Sequence, residues 1–251
     1  MGEEAMAQVY AALGFEFGDF DELLELIQKA PGQRTIPVDG FDAAMTYQDP
    51  SGARMTALQY EGEWATLPGF RSDNTVDAST YRVSPYLSLV ELRRAGDGEV
   101  FNQFAAASDE AFALPAGNPA GGRKLRATEL RMAAAGTDYT LYDSVESWRE
   151  SKDAYDAAEP SMLYSPSTER FYRDFHPGNV NPFARLGGVI RSAQERTNQL
   201  TGNEFVVATL ATPAGNLPLL LTGEVPEEGQ VFFGAACMLA SAGFWETALA
   251  R

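Results

Sequence analysis

Apolar residues near the start of the chain recur every three or four positions, which is the spacing of one helix face. Residues 3–13 therefore predict a short helix. A stronger pattern follows in GDFDELLELIQKAPG, residues 18–32. There Asp19 is the expected N-cap, Glu22 stands three residues later as in a capping box, and a Pro-Gly pair ends the helix.

From Phe41 onward the apolar spacing changes from about 3.6 to 2, the period of a strand. FDAAMTYQ and ARMTALQY predict a hairpin joined by DPSG, with Gly52 in the left-handed position of the turn. TYRVSPYLSLVELRR, residues 80–94, predicts one long strand with Tyr81, Val83, Leu87 and Leu89 on one face. Its proline indicates an edge position or a bulge.

The middle of the chain continues with strands and one short helix. EVFNQFAAA predicts a strand, and residues 123–136 and 137–142 predict an antiparallel pair that turns at Gly136. Asp143 and Glu146 have capping-box spacing before a short helix in SVESWRES. Prolines then interrupt any steady period, which is typical of a connector.

Four short alternating runs follow Phe183, separated by the turn sequences LTGN, TPAG and EVPEEG. This rhythm favours a small barrel of the oligonucleotide-binding (OB) type, with a fifth strand expected around 240–249. Residues 184–199 fit either a strand or a helix, and we favour the strand. The segment 231–249 also fits either a strand or a helix, and its pattern does not decide between the two.

The fold class predicted from these patterns is α+β. Residues 1–155 form an antiparallel sheet with two N-terminal helices, 156–182 form a Pro-rich connector, and 183–251 form a small OB-like β-barrel. The hairpins AMTYQDPSGARMTAL and VATLATPAGNLPLLL are similar. Shared hairpin chemistry explains the similarity more simply than a duplicated fold does, but both explanations remain open.

The formal net charge of −16 bears on which classes of molecule the protein can bind. Residues 1–50 contain ten acidic and two basic residues, so they carry half of this charge. A surface this acidic repels phosphate backbones and anionic lipids. We therefore expect a basic protein partner, no nucleic acid and no membrane.

Cysteine content and the N-terminus predict a cytoplasmic protein. Cys237 is the single cysteine, so no intramolecular disulfide forms. The sequence MGEEAMAQVY has neither the basic region nor the apolar region of a signal peptide. The apolar run 231–245 is shorter than the roughly 20 residues of a membrane span, and it reads as a buried core element.

Three parts of the chain resemble a group of uncharacterised proteins from high-GC actinobacteria. They are ALGFEF near the start, YQDPSGAR at 47–54, and RTNQLTGNEF at 196–205 together with EEGQVFFGA at 227–235. The resemblance covers most of the chain, although the segment around 165–181 is longer here. It implies a bacterial cytosolic protein and no particular chemistry.

Catalytic and metal motifs are not recognisable in the sequence. His176 is the single histidine, and its neighbour Asp174 is poorly placed to orient it, so we predict no catalytic residue. One Cys and one His do not form a zinc site. Asp73, Asn74 and Asp77 lack the spacing of a calcium loop. We therefore predict no metal and no cofactor.

A binding site is the more specific expectation. Interleaved Arg and aromatic residues in ERFYRDF are typical of single-strand binding by stacking and phosphate contact. The candidate binding residues are Arg170, Tyr172, Arg173, His176, Arg196 and Asn198. The competing interpretation packs the aromatic rings on the core and pairs the arginines with acids. For the turn 201–203 we expect a ligand site only if Arg196 and Asn198 project into a groove.

We favour a non-enzymatic binding or assembly protein whose acidic N-terminal face meets a basic partner. One alternative is a hydrolase-like enzyme for small molecules that uses carboxylates, with or without a divalent cation. A second alternative is an OB-type binder of single-stranded nucleic acid. The sequence does not predict an oligomeric state.

Overall fold

The computed structural model describes residues 3–16, 20–118, 121–155, 157–174 and 176–249. It confirms an α+β protein, with a four-stranded antiparallel sheet and a large mixed sheet. The helices in these ranges are α1 (Glu3–Ala11), α2 (Phe20–Lys29), α3 (Val145–Arg149), α4 (Pro166–Asp174) and α5 (Phe244–Leu249). None of them has the length and apolar character needed to cross a membrane.

The four-stranded sheet has the order β1-β2-β3-β4 with every neighbour antiparallel. Its strands are β1 (Arg34–Val38), β2 (Phe41–Gln48), β3 (Ala53–Tyr60) and β4 (Glu63–Phe70). The predicted β2–β3 hairpin is confirmed, and Gly52 has the expected positive φ of 101°. Both predicted N-terminal helices are also confirmed, and Leu23 and Ile27 of α2 pack in one core cluster with Met45 of β2. The proposed cap Asp19 lies outside the described residues.

The large mixed sheet contains nine strands in the order β11-β12-β13-β14-β10-β15-β7-β6-β5. They are β5 (Thr75–Ser84), β6 (Leu87–Arg93), β7 (Val100–Ala107), β10 (Leu125–Tyr142), β11 (Met162–Tyr164), β12 (Phe183–Thr197), β13 (Glu204–Thr212), β14 (Gly215–Leu221) and β15 (Val231–Ser241). A separate two-stranded pair is formed by β8 (Gly117–Asn118) and β9 (Gly121–Gly122). Two further pairings join β12 to β15 and β10 to β5.

The mixed sheet and its core combine residues from both sides of the predicted connector. Strand β10 precedes residues 156–182 and pairs with β14 and β15, which follow them. Side chains from both sides, such as Phe104 and Phe232, lie in the same core cluster. The connector itself contains β11 and α4. The division into 1–155, a connector and 183–251 stays a prediction, and an OB-like barrel is not confirmed by these pairings.

Two predictions about single strands are wrong. Residues 80–94 do not form one long strand, because the chain turns at Pro85 and Tyr86 and pairs Ser84 with Leu87. The predicted apolar face is confirmed, since Tyr81, Val83, Leu87 and Leu89 share one cluster across this hairpin. A regular two-residue turn shifts the alternation by one position, but the bulge between Arg82 and Ser84 restores it, so the pattern alone does not reveal the turn.

The opposite error occurs in β10, which is one strand of 18 residues and not a hairpin at Gly136. The pairing with β15 shifts register between Gly136 and Asp138, so the glycine marks a bulge. A Cβ at residue 136 would lie 2.7 Å from the Leu221 side chain, which explains why glycine is needed there. A glycine in a strand pattern therefore indicated close packing and not a turn.

The C-terminal third follows the prediction closely. Strand β12 confirms our choice of strand for 184–199, and pairing on both edges with β13 and β15 outweighs the helix propensity of its residues. Strand β15 confirms the buried core element at 231–241. The expected fifth strand around 240–249 is wrong, because α5 occupies those positions. The short helix α3 is confirmed, but its capping box uses Ser144 and Ser147.

Candidate functional site

A buried group of charged residues joins three distant parts of the chain. Arg54 on β3 and Asp109, just after β7, are each 1% exposed. Asp109 accepts two hydrogen bonds from the Arg54 guanidinium, with Nε–Oδ2 at 2.5 Å and Nη2–Oδ1 at 3.2 Å. Glu246 of α5 accepts a third from Arg54 Nη1 at 3.2 Å. We call Arg54, Asp109, Glu110 and Glu246 the buried charge cluster.

Glu110 in this cluster holds the start of α5. Its Oε2 accepts from Phe244 N at 2.9 Å and from Ser241 Oγ at 3.2 Å, and its Oε1 accepts from Ala242 N. Trp245 is fully buried, and its indole N–H donates to the Asp109 carbonyl at 3.2 Å. Burial and the neighbouring Asp109 carboxylate raise the pKa of Glu110 to about 7.

These contacts give the buried charge cluster a structural role. Burial raises the pKa of Asp109, and the Arg54 guanidinium opposes that rise. The carboxylates of Asp109 and Glu110 are occupied by internal donors and closed to solvent, so they are not available to a substrate. They therefore lend no support to a carboxylate-dependent enzyme. Arg54 and Glu246 are 192 residues apart, and no local motif links them in the sequence.

The candidate residues near α4 divide between packing and solvent. Phe171 is buried, and the Tyr172 hydroxyl donates to Glu91 Oε1 at 2.9 Å. Lys124 Nζ lies 2.6 Å from the same oxygen of Glu91. Burial raises the pKa of Tyr172. This half of the helix fits the competing interpretation, in which aromatic rings serve the core.

The remaining candidates at α4 are exposed. Arg173 pairs with Asp174 at 3.2 Å, with both side chains largely in solvent. Arg170 and His176 are exposed as well. A groove of about 340 Å³ runs beside the helix and is lined by Phe101, Tyr164, Glu169 and Tyr172, among others. Phe101 and Tyr164 are 41% and 44% exposed, so two aromatic rings border this groove.

Arg196 and Asn198 do not form a site together. Arg196 lines a polar cavity of about 370 Å³, while its Nη1 donates to the Ser51 carbonyl at 2.7 Å and its guanidinium lies 5.9 Å from the Phe70 ring centre. Asn198 is fully buried, and its side-chain amide donates to the Leu13 carbonyl at 3.0 Å. Only Arg196 therefore projects into a groove. The turn at 201–203 is a structural hairpin, and its Thr201 and Asn203 side chains also donate to the Gly14 carbonyl.

The four-stranded sheet ends in a group of exposed carboxylates. In an antiparallel order the β1–β2 and β3–β4 turns lie at the same end of the sheet. Asp39, Asp42, Glu61 and Glu63 are exposed there, and we call this group the acidic end. Within the described ranges none of the four forms an ion pair.

A cavity of about 620 Å³ opens beside the acidic end. Asp39, Phe41 and Tyr60 line it on one side, and Arg82 and Tyr86 line it on the other. The rings of Phe41 and Tyr60 meet edge to face with centres 6.3 Å apart. Tyr60 is 53% exposed and Tyr86 is 37% exposed, so two rings face solvent at the opening. We call this space the aromatic cavity.

Sequence reasoning did not identify the acidic end as a site. The charge excess of the N-terminal part was visible, but the strand register that brings Asp42 and Glu63 to Tyr60 was not. Strand residues alternate between faces. Ala44 and Leu58 pair and pack in one cluster, so they lie on the same face of the sheet. Asp42 lies two residues before Ala44 and Tyr60 two residues after Leu58, so both lie on that face as well. Glu63 pairs directly with Tyr60.

Comparisons with protein-family models, curated proteins and solved structures find no match for this chain. No group of three or more His, Cys, Asp or Glu side chains in the described part of the chain is arranged to hold a metal ion. The candidate Asp77 is instead paired with Arg126. The site is therefore defined by geometry alone.

Proposed function

We propose that this is a non-enzymatic binding or assembly protein that meets a basic protein partner through its acidic N-terminal part. The observation that carries the proposal is the acidic end, where four exposed carboxylates form no ion pair among the described residues and Asp39 lines the adjoining aromatic cavity. Among the described residues these carboxylates have no cationic partner to give up when a basic surface approaches. Opposite charge also accelerates the encounter and selects against acidic partners.

The proposal favours the sheet end over helix α2 as the centre of this face. On α2, Asp21, Glu22 and Glu25 face solvent, but Glu25 pairs with Lys29 at 2.7 Å. That pair reduces the net negative charge available to a partner. Asp19, the fourth acidic residue in this part of the chain, lies outside the described residues.

A matched pair of triple variants tests the proposal. The first is Asp39→Asn/Glu61→Gln/Glu63→Gln at the acidic end. The second is Glu224→Gln/Glu227→Gln/Glu228→Gln in the loop before β15, where all three side chains are also exposed. Each removes three negative charges, so the general field of the protein changes equally. Asp42 is retained because its carboxylate accepts from Gly62 N at 3.1 Å.

The measurement is the affinity for a fluorescent peptide that contains four arginines between Gly-Ser flanks, at about 50 mM and 200 mM salt. We expect the acidic-end variant to bind at least about tenfold more weakly, since each exposed charge contributes of the order of 0.5 kcal/mol. We expect the loop variant to bind within about twofold of the wild type. Equal losses in both variants, or none in either, would contradict the proposal.

The cytoplasmic setting and the absence of a cofactor belong to the same proposal. The OB-like character of residues 183–251 also stays part of it, as a fold-level expectation for the strands β12 to β15. These strands form the larger part of the common core with β5, β6, β7 and β10. In the proposed function they provide a rigid base for the four-stranded sheet.

A second candidate function is binding of single-stranded nucleic acid at α4. The exposure of Phe101 and Tyr164 in the groove along α4, the helix that also carries the exposed Arg170 and Arg173, favours it, because bases stack on such rings. The net charge of −16 opposes it. Fluorescence anisotropy with a labelled oligonucleotide decides between the two. Binding that weakens steeply from about 50 to 200 mM salt and is lost in Phe101→Ala/Tyr164→Ala would support this second candidate.

A further inference from the structure

We infer that the aromatic cavity is the subsite for one arginine side chain of the basic partner. The inference rests on the proposed function and names the chemistry of its central contact. A guanidinium is planar and stacks on aromatic faces, while its N–H groups donate to carboxylates. An ammonium group is compact and strongly hydrated, so it gains less from aromatic walls.

The walls of the cavity suit a flat cation. Tyr60 at the end of β3 and Tyr86 in the turn between β5 and β6 supply exposed rings, and the Phe41 ring contacts Tyr60 edge to face. Asp39 lies on the rim within the lining of the cavity. The volume of about 620 Å³ is large enough to admit one arginine side chain together with water.

The lining of the cavity carries one negative and one positive charge, so the excess of negative charge comes from neighbouring carboxylates. Arg82 also lines it, and its Nη1 donates to the Phe112 carbonyl at 3.2 Å, so this guanidinium is held by the protein. Asp39 offsets that single positive charge. Asp42 and Glu63 share the face of Tyr60 and leave the neighbourhood with an excess of carboxylates.

The wall behind the cavity is fixed by aromatic packing. Phe41 contacts Phe112 with ring centres 6.5 Å apart, and Phe112 contacts Trp245 at 5.7 Å. Trp245 belongs to α5, which the buried charge cluster holds in place. The ring of Tyr60 therefore stands on a preorganised support, which lowers the entropy lost on binding.

Tyrosine-to-leucine variants test the inference without changing charge. Tyr60→Leu removes a cavity ring, and Tyr155→Leu removes a ring that is 89% exposed elsewhere. The probes are the four-arginine peptide, the same peptide with lysines, and the same peptide with neutral citrullines. We expect Tyr60→Leu to lower the affinity for the arginine peptide about fivefold or more, and the affinity for the lysine peptide less than about twofold. Tyr155→Leu leaves both unchanged, and the citrulline peptide does not bind.

The outcomes separate the inference from the proposed function. If Tyr60→Leu binds the arginine peptide like the wild type while the acidic-end triple variant is weakened, the subsite is wrong and the proposed function stands. If neither variant loses affinity, both are wrong. If Tyr60→Leu does not fold, as judged by circular dichroism, Tyr86→Leu replaces it with the same expected loss. Equal losses for arginine and lysine peptides would overturn the choice of arginine.

Discussion

Two groups of carboxylates in this protein have the same chemistry and opposite surroundings. In the buried charge cluster, Asp109 and Glu110 are closed to solvent and each accepts at least two internal hydrogen bonds. At the acidic end, Glu61 and Glu63 are exposed and unpaired within the described ranges. A carboxylate with internal donors stabilises the fold, and one without them is available to a partner.

The difference also explains how the two groups depend on each other. The buried charge cluster fixes α5 and its aromatic residues, and those residues support the wall of the aromatic cavity. Variants in the cluster should therefore alter stability first, and variants that only neutralise charge at the acidic end should alter binding with little change in stability. The following predictions are arranged by the size of their expected effect on stability.

The largest effect is expected from Arg54→Met. It leaves the Asp109 carboxylate buried without its cationic partner, which costs about 3–5 kcal/mol of unfolding free energy. Urea titration monitored by circular dichroism measures this loss. The control Arg94→Met breaks two ion pairs, with Asp97 and Glu99, whose members are all more than half exposed, and it should leave the urea midpoint close to that of the wild type. Similar losses in the two variants would remove the distinction between buried and exposed pairs.

The pH dependence of stability provides the second test. The folded-state pKa of Glu110 is about 7, above its ordinary value of 4.5, so the folded state binds more protons between these values. The stabilising contribution of protonated Glu110 is therefore present below about pH 4.5 and lost as the pH rises toward 7. Relative to Glu110→Gln, the wild type should lose about 3 kcal/mol of unfolding free energy across this window.

Urea midpoints at half-unit pH steps measure that difference. The comparison with the variant cancels the other titrating groups. The exposed Glu228→Gln is the control and should follow the wild-type profile. A wild type that gains stability relative to Glu110→Gln as the pH rises would show that the hydrogen bonds from α5 outweigh burial.

A smaller change in unfolding free energy, and a stabilising one, is expected from a variant at Glu61. This residue has a φ of 51°, and Gly62 after it has a φ of 82°. Two-residue hairpin turns with positive φ at both positions favour Asn-Gly. Glu61→Asn should stabilise the protein by about 0.5–1 kcal/mol while weakening arginine-peptide binding. Glu63→Gln on β4 is the control and should leave stability unchanged. A destabilised Glu61→Asn would mean that glutamate makes a local contribution to the fold.

The smallest effect on stability is expected from the acidic-end triple variant, Asp39→Asn/Glu61→Gln/Glu63→Gln. These side chains form no ion pairs within the described ranges, so the unfolding free energy should change by less than about 0.5 kcal/mol. Thermal unfolding followed by calorimetry is sufficient to measure it. A loss of 2 kcal/mol or more, by the usual scale of such substitutions, would assign these carboxylates to the fold and not to a partner.

The sequence predicted most local elements and few of the long-range relations. Alternation identified β2, β3, β12 and β13 because a strand with one buried face has a period of two. Alternation did not show where the chain turns, so Pro85 was placed inside a strand and Gly136 at a turn. Both errors come from features that fit either a turn or continuous pairing.

The candidate site was less predictable, because it depends on which strands are neighbours. The charge of residues 1–50 indicated an acidic face, but the cavity combines Tyr60 with Tyr86 from the other sheet. The buried Arg54–Asp109 pair joins residues 55 positions apart. The Arg and aromatic residues of ERFYRDF were recognisable as a pattern, and only the helix shows that Phe171 is buried while Arg170 is exposed.

Mapping of carboxyl–amine cross-links tests the central claim most directly. A carbodiimide joins carboxylates of the protein to the lysines of a bound peptide with mixed arginine and lysine, and mass spectrometry locates the links. The account predicts links concentrated at Asp39, Asp42, Glu61 and Glu63, and their loss when unlabelled arginine peptide competes. Links concentrated at Glu224, Glu227 and Glu228, or spread evenly over the exposed acids, would contradict it.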